Sequence, residues 1–143
     1  MDISLILVPV DFSPHAERAL DYAILLARKL PARLLLLHVI HTFPLGVTEM
    51  GPTLPQAYLQ GIESEVRQSL EKYQQRLDEA GLAGETTITY GVPFEEIAQF
   101  AKARQVDLIV IGTHGRTGLE HLFLGSVAEK VVRLASCPVL VTR

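Results

Sequence analysis

Apolar positions along the chain alternate between two kinds of run. Ile3 to Val10 is almost continuously apolar, and Asp11, Ser13 and Pro14 end it. Such a run suits a strand buried on both faces of a parallel sheet. Ser13-Pro14 then opens a helix, with Ser at the N-cap and Pro at the first helical position. Ala16, Ala19, Leu20, Ala23, Ile24, Ala27 and Leu30 follow at helical spacing, and Pro31 stops it. The small alanines let that helix lie close to a sheet. A second buried strand is predicted over Arg33 to Ile40. Leucine is a mediocre strand former, so length and alternation with helices carry that assignment.

His41 to Pro55 holds three prolines and two glycines without a period, and is expected to be a loop. From Ala57 the spacing Leu59, Ile62, Val66, Leu70, Tyr73 and Leu77 predicts a long helix closed by Gly81. Its other face carries Glu63, Glu65, Arg67, Glu71, Lys72, Arg76 and Asp78, which is simplest as a solvated face. Glu85 to Tyr90 reads as a more exposed strand. A helix runs from Pro93 to about Arg104, and Asp107 to Gly112 is the strongest strand of all. Thr113 to Leu124 is a loop, Ser126 to Ala135 a short helix, and Pro138 to Thr142 a final strand.

Strand and helix therefore alternate throughout, which is the signature of one open α/β domain over residues 1–143. Right-handed crossovers with helices on both faces require the strand order to reverse once. The common five-stranded solution is a parallel sheet in the order 3-2-1-4-5. Ligands bind in such sheets beyond the strand C-termini at the reversal, here Val10-Asp11 and Ile111-Gly112.

Composition narrows the function classes. Thirteen basic and 16 acidic residues give a net charge of -3, the wrong sign for wrapping nucleic acid. The single cysteine, Cys137, excludes an internal disulfide and suits a reducing compartment. The N-terminus has no basic leader, and Arg28, Lys29, Pro31 and Arg33 interrupt the most apolar stretch. No membrane span is expected, and a cytoplasmic location follows by default.

The segment GTHGRTGLEHLFLGSVAEK after the fourth strand carries the strongest chemical signal. Glycines at 112, 115, 118 and 125 let backbone amides approach a bulky anion. The segment ends at a helix N-terminus, where unpaired amides and the helix dipole favour phosphate. Ser126, His114 and Arg116 add side-chain donors. The plain alternative is a turn followed by a capping box, Ser126 with Glu129. Position at the reversal point favours phosphate.

Asp11 has two readings: a contact to ribose, base or cation, or a cap through its Asp-x-Ser-Pro turn. His38 and His41 lack a third ligand and are taken as packing and loop residues. His15 at a helix start and His121 in a loop call for nothing special. Glu95-Glu96 falls in a helix first turn, where acids favour the dipole. Cys137 reads as an inert core thiol. There is no Walker lysine motif and no GxGxxG after the first strand. A phosphoacceptor receiver would need an Asp ending the third strand and a Lys after the fifth. The chain has Tyr90-Gly91 at the first place and stops at Arg143.

The spacing Gly112-x-x-Gly115, nine residues, then Gly125-Ser126 resembles the nucleotide signature of the ATP-binding subclass of the universal stress proteins. VPVDFS, LLHV, GVPFEEI and CPVLVTR extend that resemblance along the chain. It implies a Rossmann-like fold of the adenine nucleotide alpha hydrolase type, with ATP held between strands 1 and 4. Pro9, Val10 and Asp11 would line the adenosine side, with Val39 near the base. Gly112, His114, Gly115 and Arg116 would follow the phosphates, and Gly125, Ser126 and Val127 would hold the terminal one. Mg²⁺ would accompany the triphosphate. A homodimer through the last strand, 138–142, is implied as well.

The function so implied is a dimeric, ATP-binding regulatory adaptor of the stress response, with an unknown protein partner. The alternative is a slow ATPase acting as a timer, with His114 and Glu120 as its candidate participants. A module with an empty loop is disfavoured by the intact glycines. The absence of a Walker lysine and of a placed water-orienting base favours binding over turnover.

Overall fold

The structure, a computed structural model, describes residues 2–42, 56–114 and 124–143. Element order is β1 (Leu5–Pro9), α1 (Pro14–Lys29), β2 (Arg33–His41), α2 (Gln56–Glu79), β3 (Gly84–Gly91), α3 (Pro93–Ala103), β4 (Leu108–Gly112), α4 (Ser126–Leu134) and β5 (Val139–Thr142). The five strands form one parallel sheet in the order β3-β2-β1-β4-β5, as the alternation predicts. Boundaries differ by a residue or two. His41, expected in a loop, instead ends β2 opposite Gly91.

The apolar runs are two-faced because successive strand side chains point to opposite sides. Ile6, Val8, Leu34, Leu36, Leu108 and Val110 face α1 and α2. Leu7, Leu35, Leu37, Ile109 and Ile111 face α3 and α4. The leucines of β2 are at most 1% exposed, so burial on both faces overrides weak strand propensity. On α1 the stripe Ala16, Ala19, Leu20, Ala23 and Ala27 is buried, and on α2 Val66, Leu70, Tyr73 and Leu77.

Two local devices hold the central strand's ends. At the N-terminal end, the Asp107 carboxylate accepts from the Ser4 amide, the Ser4 hydroxyl and the Leu5 amide, all at 2.9 Å. Those donors, the Ser4 amide foremost, hold its pKa below the ordinary carboxylate value. At the other end, Ser13 caps α1 as expected, its hydroxyl accepting from the Ala16 amide at 3.2 Å.

The charged face expected on α2 is only partly solvated. Arg76 reaches across to α1 and donates to Glu17 at 2.5 Å and to Asp21 at 2.6 Å. Tyr73 donates to the same Glu17. Burial, and then that carboxylate, push the Tyr73 phenol well above its ordinary pKa. Helical spacing alone could not reveal this, because the partner acids sit on a helix about 55 residues away in sequence.

Candidate functional site

β1 and β4 are in register only over Ile6–Leu108 and Leu7–Ile109. Beyond that the helices following the two strands lie on opposite faces of the sheet, α1 on one and α4 on the other. A cleft of about 1180 Å³ opens there. It lies slightly above the usual 300–1,000 Å³ range of small-molecule sites, which leaves room for a ligand of nucleotide size.

The cleft gathers all the described residues that the sequence nominated. Pro9, Val10 and Asp11 line it from the end of β1, and Val39 from β2. Gly112 and His114 line it after β4, and Gly125, Ser126 and Val127 at the start of α4. Gly115 and Arg116 lie outside the described residues, as do Gly118, Glu120, His121 and most of the His41–Pro55 loop.

The chain leaves β1 through a sharp turn. The Ser13 amide donates to the Asp11 carboxylate at 3.0 Å, so the turn-capping role of Asp11 is real, and Asp11 still lines the cleft. Between them Phe12 adopts φ 64°, a left-handed conformation that costs an aromatic residue energy. It is held there by its ring, which stacks on His38 at 4.8 Å and on Tyr73 at 5.7 Å. His38 in turn donates from Nδ1 to the Val10 carbonyl at 2.7 Å, since a carbonyl can only accept. His38 is therefore a cleft residue and a brace for the β1 exit, a role its sequence position did not suggest. His15 is likewise more than a helix opener, because its ring tilts against His114 with centroids 5.2 Å apart.

On the other side, the two described ends of the glycine segment are tied together. The Gly125 amide donates to the Thr113 carbonyl at 2.6 Å, and the Thr113 amide to Thr142 at 2.9 Å. Both glycines have a packing reason to lack a side chain. A Cβ at Gly112 would lie 2.7 Å from the His15 carbonyl oxygen, and one at Gly125 would lie 2.5 Å from that of Thr113. The capping box that formed the plain alternative is absent. Gly125 itself takes the N-cap position with φ -57° and ψ 151°, so Ser126 is already the first helical residue. Glu129 pairs with Arg133 at 2.9 Å instead.

A glycine at the N-cap alters the chemistry of the helix start. The first bond closing α4 runs from the Glu129 amide to the Gly125 carbonyl at 2.9 Å. The amides of Ser126, Val127 and Ala128 precede it, and no side chain of the N-cap residue accepts from them. They face an opening where the helix dipole also favours negative charge. His114 adds Nε2, a buried nitrogen with no hydrogen-bond partner among the described residues, while its Nδ1 lies 3.0 Å from the Thr113 hydroxyl. These donors fit an anion. No group of three or more His, Cys, Asp or Glu residues able to hold a metal exists among the described residues. A hard cation such as Mg²⁺ would therefore draw most of its oxygen ligands from a bound ligand and water.

The remaining candidates behave as structural groups. Glu95 and Glu96 sit in the first turn of α3. The Cys137 thiol is half-buried, and burial pushes its pKa upward, so it is a poor nucleophile. Among the described residues no helix is long and apolar enough to cross a membrane. Several cleft residues carried no sequence signal: Glu65 and Ser69 from α2, Phe94 from α3 and Lys130 from α4. Of these only Glu65 has an expected place, on the solvated face of the long helix, and packing turns all four toward the β1–β4 opening.

The chain matches known proteins over its whole length. Residues 3–143 fit the model of the universal stress protein family. The universal stress protein MJ0531 of Methanocaldococcus jannaschii is 36% identical over 139 residues, covering 96% of this chain and 81% of that protein. The solved structure of MJ0577 from the same organism superposes with a TM-score of 0.87 at 32% identity, covering 99% of this chain and 96% of that one. The universal stress protein of Archaeoglobus fulgidus, solved in complex with dAMP, superposes with a TM-score of 0.71 at 26% identity, covering 100% of both chains. By sequence, fold and extent of match, this chain belongs to the universal stress protein family.

Proposed function

We propose that the protein binds ATP in the cleft between the ends of β1 and β4, and that it acts as a regulatory binding protein. The observation that carries this is the convergence of two structures on one opening. One is the braced β1 exit at Pro9–Asp11. The other is the α4 N-terminus, whose N-cap Gly125 has no side chain to satisfy its amides and is fastened to Thr113. The dAMP bound by the Archaeoglobus fulgidus relative supports an adenine nucleotide as the ligand.

In this reading Pro9, Val10 and Asp11 line the adenosine side, and Val39 packs near the base. Gly112 and His114, with Gly115 and Arg116, follow the phosphates. The amides at Gly125, Ser126 and Val127 receive the terminal phosphate. Mg²⁺, when present, neutralises phosphate charge through oxygen ligands. The same reading makes the protein a cytoplasmic homodimer of the stress response. Its β5 edge presents Leu140, which is 38% exposed, and an uncovered apolar edge strand calls for a partner.

Titration calorimetry of the purified protein with ATP and Mg²⁺ near neutral pH tests the proposal. One saturable site per chain is expected. Absence of binding, seen neither as heat nor as displacement of a labelled adenine nucleotide, would refute it. Steady ATP consumption above background would instead make the protein a slow ATPase.

A further inference from the structure

Lys130 has no place in the signature described above, yet it lines the cleft together with Ser126 and Val127. Among the described residues it is the cationic side chain of that lining, set against the carboxylates of Asp11 and Glu65. It stands four residues after Ser126, one helical turn further along α4. Helical side chains lean toward the helix N-terminus, so the Lys130 stem leaves α4 in the direction of the Ser126–Val127 turn, within reach of it.

Its present partner is neutral. The Lys130 Nζ sits 4.5 Å from the centroid of Phe94, the second residue of α3. Phe94 lines the same cleft. The neighbouring acid on α4, Glu129, is engaged by Arg133. A cation resting on an aromatic face is held loosely when exposed, and a flexible lysine stem lets it leave for a better partner.

We infer that Lys130 reads the number of phosphate groups: parked on Phe94 in the free protein, it swings to the distal phosphates of a bound nucleotide. The inference rests on the proposed ATP pose, in which the terminal phosphate lies against Gly125–Val127. A monophosphate stops short of that turn and gains little from the cation. A triphosphate reaches it with the most negative charge and gains most. The site therefore prefers ATP and ADP over AMP, and Lys130 is a specificity-determining residue.

Lys130→Met keeps the apolar stem over Phe94 and removes only the charge. Titration calorimetry with ATP, ADP and AMP on the wild type, Lys130→Met and Lys130→Arg tests the idea, with melting temperatures as the control for folding. Lys130→Met is expected to weaken ATP about tenfold, as loss of one charge-assisted contact does, and AMP less than about twofold. Lys130→Arg is expected to keep ATP within about threefold of the wild type. Equal losses for ATP and AMP, or no loss for ATP, would overturn the inference while leaving ATP binding intact. A wild type that binds none of the three nucleotides would instead overturn the proposed function, and the inference with it.

Discussion

A single methyl group separates two glycines of this chain in the sharpest way. At Gly125 an added Cβ would sit 2.5 Å from the Thr113 carbonyl oxygen. Real Cβ atoms essentially never come within 3.0 Å of another heavy atom, so the backbone must open by about half an ångström. The atom in the way is backbone and cannot rotate aside. Opening it also stretches the 2.6 Å bond from the Gly125 amide to the same oxygen. Overpacking costs about 1–3 kcal/mol and a lost backbone hydrogen bond about 0.5–1.5 kcal/mol, with partial relief between them. A net loss of about 2 kcal/mol follows for Gly125→Ala, or a fall in Tm of about 4–8 °C for a chain of this size. At Gly61, in an exposed stretch of α2, a Cβ would meet nothing within 4 Å. There the same substitution removes backbone entropy from the unfolded chain and should stabilise by about 0.5–1 kcal/mol. Thermal melts followed by circular dichroism, with ATP titrations beside them, compare the pair. Gly125→Ala should melt lower and weaken ATP at least about tenfold, because α4's amides move with the N-cap. Gly61→Ala should melt higher and bind unchanged. Shifts of the same sign would refute the steric account. A lower Tm with unaltered affinity would show that the Thr113–Gly125 closure does not position the ligand's donors.

The other predictions concern the sheet's opposite end and its edge. Asp107 has a depressed pKa in the folded state, so its contribution is present above the unfolded value and is lost as pH falls through the folded one. Urea melts from pH 7 to pH 2 should therefore show Asp107→Asn less stable than the wild type at pH 7 by at most about 1 kcal/mol, since solvent screens the carboxylate. The gap should narrow below about pH 4, and a constant gap would contradict the assignment. Leu140→Lys places a charge on the exposed side of β5 without touching Val139 or Val141, which pack on the α3–α4 core. Sedimentation should find a dimeric wild type and a monomeric variant with unchanged circular dichroism, and a variant that stays dimeric would locate the interface elsewhere.

Much of the architecture was legible because burial writes itself into periodicity. Runs such as Leu34–Leu37 and Leu108–Ile111 are apolar at every position only because both sheet faces are covered. The alternation of such runs with amphipathic helices then left one common parallel topology. The β1 and β4 ends were legible for the same reason, as was Gly125–Val127, since glycine followed by a helix start is local chemistry. Chain order could not show which side chains converge from afar. His38 looked like packing, and its bond to Val10 spans 28 positions. Arg76 looked solvated, and its acids lie on another helix.

The capping box shows the limit from the other side. Ser126-x-x-Glu129 is a valid local pattern, yet Gly125 takes the cap because the contact to Thr113 draws the chain in extended there. Sequence by itself determined which segments form strands and which pack as helices, because that depends on the spacing of apolar residues a few positions apart; where the sheet reverses followed from the commonest topology for such an alternation, and the strand pairing bears it out. Tertiary structure alone decided that Phe12 is braced by His38 and Tyr73, and that Lys130 rests on Phe94 beside the start of α4. Those relations depend on through-space distances between elements, which no local spacing encodes.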